Sequence, residues 1–153
     1  MNRVLKFFAT GRDAPLIEDQ TRVSALYKKH RWRIMTAITF GYGIAYTCRL
    51  ALSVVKKPLI DGGLFNAQEL GLISSAIFYS YAFGKLTNGF LADHANLKRF
   101  LSFGILMSAV INIAMGWTPL LWVWVVLWAL NGWFQGIGAP SAMVSITNWF
   151  SNN

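Results

Sequence analysis

The stretch FLSFGILMSAVINIAMGWTPLLWVWVVLWALNGWFQGIGAPSAMVSITNWFSNN, residues 100–153, contains no Asp, Glu, Lys, Arg or His. A soluble domain keeps about a quarter of its residues charged to cover its surface. No water-facing surface can be assembled from this segment, so its reading decides the fold. Thr118 and Pro119 form a turn that divides it into two apolar runs, 100–117 and 120–150. Each is long enough to cross a hydrocarbon layer of about 30 Å as a helix. Toward the N-terminus the same character returns twice, over about 34–55 and 69–92. The expectation is an all-α, polytopic transmembrane helical bundle of four spans. The whole composition agrees, with 55% hydrophobic and 13% charged residues in a chain of 153. This excludes a secreted disulfide scaffold, a disordered tail and most soluble enzymes. Cys48, the single cysteine, has no internal partner and reads as a small apolar filler.

The polar segments set the topology. Residues 1–33 form a basic leader, a cytoplasmic one on the charge rule, and its opening residues have the character of a short interfacial helix or a tail. The leader and the 93–99 segment together hold ten of the fourteen Lys and Arg residues. Both are therefore expected on the cytoplasmic side of the membrane, and 151–153 would be a cut-short cytoplasmic tail. Lys56, Lys57 and Pro58, followed by Asp61, Gly62 and Gly63, predict a loop between the first two spans. Asn66 and Glu69 have capping-box spacing and predict the start of the second helix. In the third span Gly104, Ser108, Asn112 and Gly116 recur every four residues and predict one small face. In the fourth, Gly132 and Gly136 form a GxxxG pair and Pro140 predicts a kink. Trp117, Trp122 and Trp124 read as an interfacial belt.

The chemistry sits in two intramembrane cations, Arg49 and Lys85, with no acidic residue inside any span to neutralise them. Such a cation costs around 2.5–3.5 kcal/mol on insertion scales, so an unpaired pair calls for an aqueous cavity or an anion. Snorkelling toward an interface is the alternative. Tyr42, Tyr46 and Arg49 lie at i, i+4 and i+7, on one face of a helix; Tyr81 and Lys85 repeat the pattern at i, i+4. Phenols donate hydrogen bonds, and a guanidinium presents a planar fork of donors suited to phosphate or carboxylate. Together these five residues form a candidate substrate-binding face for an anion. There is no carboxylate pair, no metal-ligand spacing and no phosphate-binding glycine loop, so neither an enzyme, a metal nor a cofactor is expected. The basic charge is distributed by topology and not on one wet face, which argues against nucleic acid.

GFLAD at 89–93 with HANLKR at 94–99 resembles the loop between the second and third helices of the major facilitator superfamily. Within it, the FGY, Tyr46 and Arg49 phrase at 40–49, SYAFGK at 80–85 and NGWFQGIG at 131–138 resemble the organophosphate:phosphate antiporter branch. That branch holds glycerol-3-phosphate and hexose-phosphate transporters and a hexose-phosphate sensor. The resemblance departs at Leu50, where a second basic residue is common, and at 139–141, where AlaProSer replaces Trp-Pro-Pro.

The resemblance implies that this chain is part of the N-terminal six-helix half of a twelve-helix fold. It implies that Arg49 and Lys85 bind phosphate, and that the remaining transporter helices supply the opposite wall of the site. The implied activity is exchange of a phosphorylated sugar or glycerol 3-phosphate for inorganic phosphate by alternating access. A transporter-like receptor signalling to a sensor kinase is the rival reading, and a small four-helix membrane scaffold a third. Gly89, Asp93, Lys98 and Arg99 would act as a conformational latch, with Gly89 allowing close helix contact and the basic pair meeting lipid phosphates.

Overall fold

The computed structural model describes residues 7–11 and 15–150. From residue 20 on, the described residues form five helices in succession: α1 (Gln20–Asp61), α2 (Ala67–His94), α3 (Leu97–Met115), α4 (Leu121–Gln135) and α5 (Gly138–Phe150). Three open on a side-chain cap that satisfies the free N–H groups of a first turn. Asp19 Oδ1 accepts from the N–H groups of Thr21 and Arg22, and Asn96 Oδ1 from that of Arg99. Asn66 and Glu69 form the expected capping box, at 2.9 and 2.8 Å. Helices α1 and α3 are each long and apolar enough to cross a membrane.

Several boundaries differ from the sequence expectation. Residues 20–33 of the leader are helical and continuous with the first span, so α1 runs for 42 residues, roughly 63 Å. Lys56, Lys57 and Pro58 are its last turns and not a loop. Pro58 is tolerated because only one internal hydrogen bond is lost there and Gly62 N–H closes the end on the Pro58 carbonyl at 2.9 Å. Lys57 pairs with Asp61 at 2.8 Å along the helix surface. The turn that reverses the chain needs Gly63 at φ +69, a left-handed conformation that favours glycine. At the other end, the 93–99 segment shrinks to Ala95 and Asn96, since α2 reaches His94 and α3 starts at Leu97.

The fourth apolar stretch divides into α4 and α5 at Gly136 and Ile137, four residues before the expected kink. Pro140 lies in the first turn of α5, where its missing N–H has no intrahelical partner to lose. The small face of α3 is also shorter than the spacing suggested. Gly104 and Ser108 are buried, but the buried face continues through Ile111 and Met115. A period of 3.6 and not 4 carries Asn112 and Gly116 away from the contact.

Helices α2 and α4 pack backbone to backbone. A Cβ at Gly84 would lie 2.9 Å from the Trp133 carbonyl, and one at Gly136 2.8 Å from Gly84 itself. The GxxxG pair therefore faces α2. An apolar cluster of Leu70, Ile73, Met115, Trp124 and Trp128 fills the end where α1 meets α2. Trp124 belongs to this cluster and not to a belt: it is 7% exposed and its Nε1 donates to the Thr118 carbonyl at 2.6 Å, whereas Trp117 and Trp122 stay exposed. A second cluster, Ala92, Phe100 and Ile137, occupies the opposite end, where Phe8 packs against it. Between them lies a polar layer of Asn88, Ser108, Asn131 and Gln135, each at most 5% exposed.

Candidate functional site

Arg49 lies level with the polar layer. On α1 the seven-residue spacing brings Tyr42, Tyr46 and Arg49 onto one face, and the Tyr42 and Tyr46 rings meet at 5.2 Å. On α2, Tyr81 and Lys85 are one turn apart. The two helices meet here, because the Arg49 guanidinium lies 4.1 Å from the Tyr81 ring centre and the Lys85 Nζ 4.8 Å from the same centre. Arg49 also lies 5.1 Å from the Tyr46 ring. The five residues singled out in the sequence thus form one group, with two cations over a single phenol.

No carboxylate neutralises this group among the described residues, where the one ion pair is Lys57 with Asp61. Its charge is met by π faces and by one neutral amide. Arg49 Nε donates to Gln135 Oε1 at 2.8 Å. Gln135 is the last residue of α4, where the helix dipole favours a neighbouring cation. The bond occupies Nε, and the rest of the guanidinium lies beside the Tyr46 and Tyr81 rings. Lys85 and Tyr46 are exposed, so the group forms an open face and not an enclosed cavity. Such a face presents a planar fork of donors, an ammonium and phenolic hydroxyls to an anion.

Sequence reasoning missed Gln135, Ser108 and Asn131. Gln135 Nε2 donates to Ser108 Oγ at 3.1 Å and Asn131 Oδ1 at 3.3 Å, and Ser108 Oγ donates to Asn131 Oδ1 at 2.5 Å. The available signal was two carboxamides one turn apart, 131 and 135, in an otherwise apolar helix; polar side chains inside a span seek one another. The site also adjoins the break between α4 and α5, since a Cβ at Gly138 would lie 3.1 Å from the Tyr42 ring.

The second group lies at the C-terminal end of α2, where Gly89 and Asp93 stand, and at the start of α3, which carries Lys98 and Arg99. A Cβ at Gly89 would meet nothing within 4 Å, so no close helix contact depends on it here, contrary to expectation. Asp93 is exposed in the last turns of α2, and Lys98 is exposed in the first turn of α3. Arg99 is exposed as well, but it is engaged: its Nη1 donates to the Phe7 carbonyl at 2.7 Å and its guanidinium lies 4.9 Å from the Phe7 ring. Asn96 N–H donates to the Phe8 carbonyl at 2.7 Å, Ala9 bridges Ala95, and Phe8 packs edge-on to Phe103 at 5.5 Å. The leader is thus clasped to the α2–α3 connection.

Residues 26–153 match the Major Facilitator Superfamily. The chain belongs to this family. Within the superfamily it is 31% identical to the membrane sensor protein UhpC of Salmonella typhimurium, over 97% of its own length and 34% of that protein. It is 32% identical to a probable hexose phosphate transport protein of Chlamydia pneumoniae, over 100% of its length and 34% of that chain. Against a glycerol-3-phosphate transporter of Bacillus subtilis the figures are 34% identity, 92% and 33%. The chain spans about a third of the length of the curated relatives it matches. No solved structure matches it. Membership of the superfamily makes this a membrane protein, and the helical bundle agrees with it.

Proposed function

We propose that this chain forms one wall of the substrate site of a transporter that exchanges a phosphorylated sugar or glycerol 3-phosphate for inorganic phosphate. Arg49 and Lys85 bind the phosphoryl group and Tyr42, Tyr46 and Tyr81 donate hydrogen bonds around it. The observation that carries the reading is the pair of cations over the Tyr81 ring with no acid beside them. Holding two such cations within membrane-spanning helices is costly, and a dianion between them offsets that cost. The open face accords with a site completed by helices beyond this segment, and alternating access rocks that further half against this one. The basic leader and the Lys98–Arg99 pair support, on the positive-inside rule, an N-terminus on the cytoplasmic side of a bacterial inner membrane.

Calorimetry of inorganic phosphate with the chain in lipid nanodiscs tests the site. Saturable binding that is lost in Arg49→Ala supports it; equal binding by both proteins overturns it. The relative named as a sensor supports a second reading, a receptor that binds a hexose phosphate and signals to a partner kinase. Phosphate counterflow by a full-length protein carrying this segment separates the two, because a receptor gives none. Within the transporter reading, the Asp93, Lys98 and Arg99 connection serves as a conformational latch, with the Phe7–Ala9 clasp as its partner. Asp93→Asn then shifts the exchange rate at little change in substrate affinity, and unaltered kinetics count against the latch.

A further inference from the structure

The Arg49 guanidinium is held at one point by a side chain whose own orientation is not free. A glutamine amide can turn over with little change of shape, and turned over it would present an NH2 to a guanidinium, donor against donor. Gln135 instead presents Oε1, 2.8 Å from Arg49 Nε. Two side chains behind it account for this. Asn131 Oδ1 faces Gln135 Nε2 at 3.3 Å, and Ser108 Oγ faces it at 3.1 Å. Ser108 has spent its one proton on Asn131 Oδ1, so toward Gln135 it offers lone pairs alone. Both atoms that meet Nε2 are therefore acceptors, and the amide is held with its oxygen outward.

Ser108 and Asn131 are both 0% exposed, so no water is at hand to substitute for either. Asn112 Nδ2 donates to the Ser108 carbonyl at 2.8 Å on the same helix, a bond not shared with Gln135. The three side chains span α3 and α4 and end on the cation of α1. With Nε fixed and the guanidinium face set over Tyr81, the rotation of the guanidinium plane is determined, and with it the direction in which the two Nη groups point.

We propose that Ser108 and Asn131 are positioning residues for Arg49, acting through the Gln135 amide to aim its donor fork. This rests on the reading of Arg49 as an anion ligand, and its test is built to stand apart from that reading. The chain, labelled with 15N in arginine and glutamine side chains and held in nanodiscs, reports both the Arg49 Nε–H and the Gln135 Nε2 protons by NMR without any ligand. Loss of one resonance in Arg49→Lys assigns the first.

In the unsubstituted chain both groups are expected to exchange slowly with solvent; fast exchange of Gln135 Nε2 overturns the proposal before any variant is made. Ser108→Ala is expected to speed Arg49 Nε–H exchange by about tenfold, a loss comparable to one hydrogen bond. In a Gln135→Leu background the same substitution is expected to change nothing further, because the route to Arg49 is already cut. An equal effect in both backgrounds would mean that Ser108 acts on the packing at large, and the proposal fails. Phosphate titration of the same samples then reads the function separately. If positioning holds and phosphate affinity falls with it, the aimed fork serves the anion; if no phosphate binds, the anion reading falls while the exchange result stands.

Discussion

The α2–α4 contact and the α1 face are built on opposite principles. Along α2 and α4, glycines let backbones touch, and Ile73, Ile77, Gly84, Asn88, Trp128 and Gly132 are buried. Helix α1 is 42 residues long and buries Leu52 alone. It is held instead by separate polar and aromatic attachments: Arg49 on Gln135, and Arg31 Nε on the Trp149 carbonyl at 2.6 Å between the Tyr27 and Phe150 rings. The α2–α4 pair supplies the frame, while the face of α1 that carries Tyr42, Tyr46 and Arg49 attaches to that frame through a few replaceable contacts. Interfaces that share backbone surface tolerate no added atom, whereas point attachments can be exchanged.

The comparison breaks most severely at Gly132. A Cβ there would lie 2.7 Å from the Ile77 carbonyl, which cannot retreat without moving α2, and closer still to Ser80 Oγ, which would have to rotate away. Gly132→Leu is expected to cost about 3 kcal/mol or more, seen as loss of the cooperative unfolding transition by circular dichroism in detergent. A parent-like transition would show that the two helices are not in backbone contact.

Arg49→Lys comes next and acts on the other region. Lysine keeps the charge but has no planar fork, so phosphate affinity should fall by roughly tenfold to a hundredfold while the unfolding transition stays near that of the parent. Equal losses of affinity and stability would mean that α1 is part of the frame. A smaller effect is expected at Tyr81, whose ring lies beside both cations. Tyr81→Leu should weaken phosphate binding by about 1 kcal/mol, with Tyr81→Phe retaining the part that the ring alone supplies. If the phenylalanine variant loses as much as the leucine one, the hydroxyl and not the π face is what matters.

The smallest effect belongs to the clasp. Phe8→Ala removes a half-buried ring from the end cluster and should cost less than about 1 kcal/mol globally. Locally it should release the Asn96 N–H, which is bonded to the Phe8 carbonyl, and hydrogen exchange at that amide is the measurement. Unchanged protection there would mean that the leader is held by its backbone without help from the ring.

The sequence by itself determined the membrane class, because a run of 54 residues without a titratable side chain has no soluble arrangement. It also determined the caps at Asn66 and the grouping of Tyr42, Tyr46 and Arg49, since both depend on spacing along one helix. Helix ends were less legible. Lys56, Lys57 and Pro58 carry loop chemistry yet extend α1, and the fourth stretch breaks at Gly136 and not at Pro140. Local propensity is weak beside the packing of a helix already formed. Only the tertiary structure decided that Arg49 rests on Gln135, that Lys85 and Arg49 share Tyr81, and that Phe7 and Phe8 fold back onto Arg99 and Phe103. The partners on different segments lie between 32 and 95 positions apart in the chain, and no periodicity reports such a distance; it is set by how α2 and α4 close on each other and where that leaves α1 to attach.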